Sequence, residues 1–345
     1  MIKTNKLTHI ELFAGAGGMA LGLEKAGFSH LLLNEIDKNA CNTLRQNRPE
    51  WNIAEGDIKN INWKSFNFPP VDLISGGFPC QAFSHSGKRL GLEDTRGTLF
   101  YDFANCIKNV SPTSFLAENV KGLVSHDKGE TLKLIIKTFE ELNYHVFKPL
   151  LLNSNDYEVA QKRERLFLFG VKKEIFEFFS FNNPPTYSPL SLKDIFFKGK
   201  YYENDAINTF DSNYSSEKLK YFKLIKSGKN WKSLPVELQK EYLGNMINSG
   251  GGKTGILKRL SYDAPSNTLL TSPSQKQTER CHPEYLRPLS IREYARIQSF
   301  PDSWIFSGSK SSQYKQIGNA VPVNLAMHVG ENIALMLRKY KKLDL

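Results

Sequence analysis

One cysteine stands out by its setting. In Gly76-Gly77-Phe78-Pro79-Cys80-Gln81-Ala82-Phe83-Ser84 a thiol follows a proline and two glycines, just past the apolar run Val71-Asp72-Leu73-Ile74. Such a place, where a strand gives way to a loop, suits a nucleophile. A free thiol has a pKa of about 8.5 and attacks only as the thiolate, so Cys80 needs an activating setting and a partner acid or base from elsewhere in the chain. Two further arrangements invite chemistry. Glu118 closes the apolar run Thr113-Ser114-Phe115-Leu116-Ala117, and a strand-end carboxylate serves either as a general acid or in an ion pair. Arg163 and Arg165 alternate along the start of another apolar run, so they are expected to share a face, as active-site cations or as an exposed basic strand start.

Strands must bring these residues together. Short apolar runs at 8–13, 31–34, 71–74, 113–117 and 165–171 alternate with helix-like stretches, the pattern of a doubly wound α/β sheet. In such a sheet, side chains from different strands converge at the carboxyl edge. After about residue 180 the texture changes, with Asn182-Asn183-Pro184-Pro185 opening a Lys, Asn, Tyr and Ser-rich region of weak periodicity. Amphipathic helical character returns beyond Pro288 and ends at 323–337 with a basic tail. The expected organisation is a catalytic, cofactor-binding domain over 1–180, an inserted smaller domain over 181–286, and a return segment over 287–345 that completes the first domain.

Phe13-Ala14-Gly15-Ala16-Gly17-Gly18 follows the first strand and opens a helix, where glycines allow a ligand to approach backbone N–H groups. Glu35 ends the second strand where a ribose diol would lie, and Asp57, in Glu55-Gly56-Asp57-Ile58, suits an adenine amino group. Either acid also makes an ordinary helix N-cap. The combination fits a dinucleotide or S-adenosylmethionine. Ala20 stands where a Gly-x-Gly-x-x-Gly loop carries its last glycine, which argues against a dehydrogenase.

The 345 residues are 40% hydrophobic, enough for a sizeable core, and 46 Lys+Arg against 35 Asp+Glu leave a net charge of +11. That balance suits a polyanionic partner, or simply a soluble basic protein. Cys41, Cys80, Cys106 and Cys281 form no CxxC pair, so neither a metal site nor a disulfide framework is expected. No apolar run approaches the roughly 20 residues of a membrane span, and a cytoplasmic protein is expected.

Five segments occur in one order: residues 13–24, Gly77-Phe78-Pro79-Cys80-Gln81, Glu118-Asn119-Val120, Gln161-Lys162-Arg163-Glu164-Arg165, and Gln316-Ile317-Gly318-Asn319-Ala320-Val321-Pro322. Together they resemble the DNA (cytosine-5)-methyltransferase family, of the bacterial restriction-modification kind. The likeness covers about 7–172 and 285–335. It implies a Rossmann-like S-adenosylmethionine-dependent methyltransferase sheet, with 181–286 as an inserted target-recognition domain. It also implies that Cys80 adds to carbon 6 of a flipped cytosine, that Glu118 supports N3, and that Arg163 and Arg165 hold the base and the glutamate. The donor, leaving as S-adenosylhomocysteine, would meet Phe13, Ala14, Gly15, Gly17, Gly18, Glu35, Ile36, Asp57, Ile58, Gly77, Pro79, Asn319 and Ala320.

The polar stretch from Ser84 to Gly97 reads as a lid on double-stranded DNA, with Ser84, Ser86, Lys88 and Arg89 at the target strand. Lys253, Lys258 and Arg259 are candidate phosphate contacts. A monomer is expected, acting on nucleoid DNA alongside a restriction endonuclease without forming a stable complex with it.

Two motifs mislead. Asn183-Pro184-Pro185-Thr186 lacks the aromatic residue of an amino-group methylase motif and reads as a linker, while Ser249-Gly250-Gly251-Gly252-Lys253-Thr254 lacks the first glycine of a P-loop. Related enzymes that act on tRNA carry a Cys-Phe-Thr element, which does not occur here. A catalytically silent binding module would not need Cys80 and Glu118 intact.

Overall fold

Strand β1 (Leu7–Leu12) has Leu7, Ile10 and Leu12 without exposed surface, as expected of a strand covered on both faces. The computed structural model describes residues 6–79, 99–202, 213–244, 247, 254–275 and 278–343. They divide into two compact units, one of Met1–Asn153, Glu164–Thr186 and Val321–Leu345, the other of Ser154–Arg163 and Tyr187–Ala320.

The first unit is a mixed sheet. Its strands β2 (Phe28–Glu35), β3 (Ile53–Glu55), β4 (Leu73–Gly76), β5 (Ser114–Val120), β6 (Tyr144–Val146), β7 (Leu150–Asn153) and β9 (Glu164–Lys172) join β1 in the order β3-β2-β1-β4-β5-β9-β6, with β7 also on β9. The five strands from β3 to β5 are parallel. Strand β9 runs antiparallel to β5, β6 and β7. The chain runs outward from β1 to β2 and β3, then crosses to β4 on the other side of β1. That reversal is where α/β sheets open a ligand crevice, beyond the carboxyl ends of the strands.

Helices α1 (Gly18–Lys25), α2 (Lys38–Asn47), α3 (Leu99–Val110) and α4 (Glu130–Glu141) complete these crossovers. Phe100 and Phe103 of α3 and Phe139 of α4 meet Phe78 and Phe115 in one buried cluster. Edge-to-face packing of Phe100 on Phe139 at 5.6 Å joins the two helices, and the Phe139 ring lies 4.1 Å from that of Phe115 of β5, which fixes them to the sheet.

The second unit holds the two-residue strands β8 (Gln161–Lys162) and β10 (Ser266–Asn267), paired in parallel. Its helices are α5 (Leu192–Phe196), α6 (Ser216–Phe222), α7 (Val236–Leu243), α8 (Ile291–Ile297) and α9 (Lys310–Asn319). A separate core forms around Tyr221, Phe222, Trp231 and Leu257. Thus residues 287–320 cluster with this unit, and the returning element of the first is α10 (Val323–Lys341). Helix α10 lies against α1 so closely that a Cβ on Gly22 would fall 2.5 Å from the Val323 carbonyl oxygen. The stretch Lys310–Lys341 is long and apolar enough to cross a bilayer, but most of its apolar window is buried inside the protein.

Beneath α1 a polar wire crosses three strands. Ser75 Oγ lies 2.8 Å from His9 Nε2, His9 Nδ1 lies 2.7 Å from His30 Nδ1, and His30 Nε2 lies 3.0 Å from the Ala20 carbonyl oxygen. The carbonyl can only accept, so His30 Nε2 carries a proton and, in a neutral ring, His30 Nδ1 is bare. His9 Nδ1 then donates to it, and the Ser75 hydroxyl donates to His9 Nε2. The bond between the two Nδ1 atoms forbids charging both rings at once. Burial agrees, pushing His9 well below the usual imidazole range and His30 down to about 4.

The unfolded histidines take up protons first as pH falls from about 6.5 towards 4, so this contribution is complete above that window and is lost within it. Glu11, whose carboxyl burial holds well above its ordinary range, contributes in the opposite sense as pH rises. Comparing wild type with His30→Gln isolates the imidazole. Urea unfolding near pH 7 and about pH 5 should show wild type losing about 1 kcal/mol more than the variant; equal losses would mean that the folded rings carry charge.

Candidate active site

The carboxyl ends of β1, β4 and β5 align in register. Gly76 lies opposite Leu12 on one side and opposite Ala117 on the other, so Phe13, Gly77 and Glu118 follow at the same level. Glu118 points towards Gly77, where an added Cβ would fall 2.8 Å from its Oε2. The carboxylate fills the notch that a missing side chain leaves. Arg165 reaches it from β9, Nε to Oε1 at 2.9 Å, because the antiparallel register sets Arg165 opposite Val120. Both side chains are 12% exposed, so the pair sits at a rim, partly screened and open to a ligand. Asn119 Nδ2 donates to the Phe78 carbonyl at 2.8 Å, tying the segment that leads to Cys80 onto β5.

The glycine loop forms the other half of the edge. Phe13, Gly15 and Gly17 all adopt positive φ, at 57°, 55° and 85°. Glycine tolerates this and Phe13 does not without strain. Gly17 caps α1 with no side-chain acceptor, which leaves amides at that terminus for a ligand. Glu35 Oε2 accepts from the Gly15 N–H at 2.7 Å, while Oε1 accepts from the Ile36 and Asp37 N–H groups at 2.9 and 2.8 Å. Three of its four lone-pair sites are thereby used, and one remains on Oε2. Ile36 beside it is 66% exposed, an apolar side chain held out at the sheet edge. Asp57 caps a short 3-10 turn through the Lys59 N–H at 3.0 Å, with Ile58 buried beneath. The wire from Ser75 to Ala20 and the buried Glu11, all under this loop, carry no sequence signal beyond being polar residues in apolar strands.

Other assignments part company. Arg163 does not join Arg165. It is buried in the second unit, donating to the carbonyls of Leu269 and Gly318 at 2.9 Å each, because the chain leaves β8 before β9 begins. Lys258 donates to the Gly228 carbonyl at 2.6 Å, and Arg259 donates to the carbonyls of Pro283, Ile225 and Glu284. These two cations brace the second unit's own loops. Asn319 is exposed and Ala320 buried at the end of α9, also in the second unit. Pro79 is exposed, and Ala14 and Gly18 are buried. Cys80, Ser84, Ser86, Lys88, Arg89 and Lys253 lie outside the described residues.

Burial pushes the thiols of Cys41 and Cys281 up to about 12, and that of Cys106 upward too. None of the three is a nucleophile at neutral pH. Among the described residues no group of three or more His, Cys, Asp or Glu is placed to hold a metal ion.

A family model for C-5 cytosine-specific DNA methylase matches residues 7–335. The chain belongs to this family. It is 51% identical to the type II methyltransferase M.Eco47II of Escherichia coli, over 99% of this chain and 82% of that protein. It is 48% identical to the type II methyltransferase M.Sau96I of Staphylococcus aureus, over 98% and 78% respectively. A DNA modification methyltransferase encoded within an E. coli prophage, 26% identical, matches with a TM-score of 0.68 over 96% of this chain and all of that one. The methylase fold is therefore the Rossmann-like sheet of the first unit with its antiparallel β9 flank, and the activity is DNA cytosine-5 methylation of the restriction-modification kind.

The notch at Gly77 yields a test. Gly77→Ala must displace the Glu118 carboxylate, and a displacement near 1 Å in a catalytic group costs about 100-fold in rate. Single-turnover methylation of DNA should fall by about that factor, with little change in the thermal unfolding midpoint. An undiminished rate would show that Glu118 is not needed where it stands.

Proposed function

We propose that this methylase acts through a covalent adduct between Cys80 and carbon 6 of a cytosine flipped out of a short, specific duplex site, with S-adenosylmethionine as methyl donor. The observation that carries the reading is the Glu118 carboxyl, clamped by Arg165 in the notch at Gly77, a glycine that precedes Cys80 by only three residues. Carbon 5 of cytosine is a poor nucleophile. The Cys80 thiolate forms a bond to carbon 6, the carbon 5–carbon 6 π electrons move to carbon 5, and the charge that would build on the ring is met at N3 by a proton from Glu118. Arg165 stabilises the carboxylate left behind. After carbon 5 gains its methyl group, N3 returns its proton to the Glu118 carboxylate, and water takes the carbon 5 proton, so that the carbon 5–hydrogen electrons re-form the double bond and expel Cys80 as the thiolate.

The residues of the first unit fit the donor. Open space above Gly15, the uncapped start of α1, the remaining lone pair of Glu35 and exposed Ile36 together suit a nucleoside ribose and a flat base. Phe13, Ala14, Gly15, Gly17 and Gly18 would line the methionine portion, Glu35 and Ile36 the ribose and base, Asp57 and Ile58 the adenine edge, with Gly77, Pro79, Asn319 and Ala320 completing the set. S-adenosylmethionine, when bound, supplies an electrophilic methyl group and leaves as S-adenosylhomocysteine. On the DNA side, Ser84, Ser86, Lys88 and Arg89 close over the target strand and Lys253 meets phosphate. Residues 181–286 carry target recognition. Arg163, Lys258 and Arg259 support the reaction by bracing rather than by touching substrate. The protein works in the cytoplasm as a monomer, protecting DNA from an endonuclease it does not stably bind.

Incubation with labelled S-adenosylmethionine and genomic DNA, followed by bisulfite sequencing, should show 5-methylcytosine confined to one short sequence. Cys80→Ser should abolish transfer, and a duplex carrying 5-fluorocytosine at that site should be trapped on wild type alone. Label on tRNA with none on DNA would overturn the DNA reading; a fully active Cys80→Ser would overturn the adduct.

A further inference from the structure

Gln298 follows α8 directly and has no exposed surface. Its amide is almost fully used. Nε2 donates to the carbonyls of Ile317 at 2.7 Å and Ala320 at 3.1 Å, and Oε1 accepts from Gln161 Nε2 at 2.7 Å. Gln161 Oε1 in turn accepts the Leu269 N–H at 2.8 Å. One carbonyl lies in the last turn of α9 and the other just beyond it, where helix hydrogen bonds run out, so Gln298 serves as a cap supplied from another helix. A buried amide costs stability relative to an apolar residue unless its groups are paired, and here the pairing reaches Gln161, Ile317 and Ala320 rather than α8.

The same bonds join two surface features. Asn319 is exposed between the two carbonyls that Gln298 holds, and Leu270 is 37% exposed next to the residue that Gln161 holds. Gly318 closes the gap, since a Cβ there would lie 2.1 Å from the Leu270 carbonyl oxygen. Arg163 ties Leu269 to Gly318 once more. The turn at Asn319-Ala320 and the loop at Thr268-Leu269-Leu270-Thr271 therefore move as one piece.

We infer that Gln298 is a positioning residue for methyl transfer: through the carbonyls of Ile317 and Ala320 it sets the Asn319-Ala320 turn that receives the donor, and through Gln161 it couples that turn to the loop at 268–271. The inference rests on the proposed donor contacts of Asn319 and Ala320. A residue that merely filled the core would affect stability alone. One that positions the turn affects donor affinity at temperatures where the protein is fully folded.

Gln298→Met removes all three bonds, whereas Gln298→Glu keeps an oxygen facing Gln161 but loses both donations. Calorimetric titration with S-adenosylmethionine should show Kd raised about tenfold in Gln298→Met, as expected for two carbonyls left unpaired. KM for the donor should rise in parallel while kcat at saturating donor stays close to wild type. If Gln298→Met does not fold, Gln161→Met should raise Kd in the same direction by freeing the amide. Asn319→Ala separates the possible failures. Weakened donor binding in Asn319→Ala with an unchanged Kd in folded Gln298 variants overturns the inference and spares the proposed contact. Unchanged Kd in all of them removes the contact and the inference together.

Discussion

The line Leu12, Gly76 and Ala117 across β1, β4 and β5 is the constraint on which the active edge depends. Because these strands are parallel and in register, the residues that follow them leave the sheet side by side: the strained Phe13, the bare Gly77 and the carboxylate of Glu118. A slip of one residue in β5 would turn Glu118 to the opposite face. The register is protected by packing, since any side chain at Gly76 would meet the Leu12 carbonyl and the Phe103 ring. Antiparallel β9 then delivers Arg165 from the opposite direction, which a further parallel strand would not do.

Polar side chains inside this molecule act as joints. In the first unit, Ser75, His9 and His30 link three strands to the first turn of α1. In the second, Gln161, Gln298 and Arg163 link a short strand, the end of α9 and the loop at 268–271. A hydrogen bond of this sort contributes only about 1 kcal/mol net, yet leaving one partner buried and unpaired costs about 1–3 kcal/mol. That asymmetry gives such networks geometric authority beyond their contribution to stability. They sit beneath the glycine loop and at the Asn319-Ala320 turn, where small displacements matter.

Much of the edge was legible from residue types. A carboxylate ending one apolar run, a Pro-Cys after another and a glycine loop after a third are local patterns, and the elements that carry them, β1, β4, β5 and α1, formed close to where periodicity placed them. Of the two arginines expected beside Glu118, Arg165 stands there, Nε to Oε1 at 2.9 Å. The short strands β6 and β7 carried too few residues to show a period, and their place on β9 comes from pairing rather than propensity.

Where the sequence by itself went astray, long-range contacts decided. Arg163 and Arg165 alternate and were expected on one face, but the chain passes from one unit to the other between them, so one arginine is buried under Leu269 and Gly318 while the other meets Glu118. Lys258 and Arg259 read as phosphate contacts because charge is a local property; their carbonyl partners lie about 25 to 35 residues away and leave no local trace. Gln298 drew no attention for the same reason. The amino-acid sequence determined which chemistry was available and at which strand ends, since those depend on residue type and short-range periodicity. The tertiary structure decided which polar groups stand at the open edge and which are consumed inside, since that depends on hydrogen-bond partners distant in sequence, 24 residues away for Arg259 and 137 for Gln298.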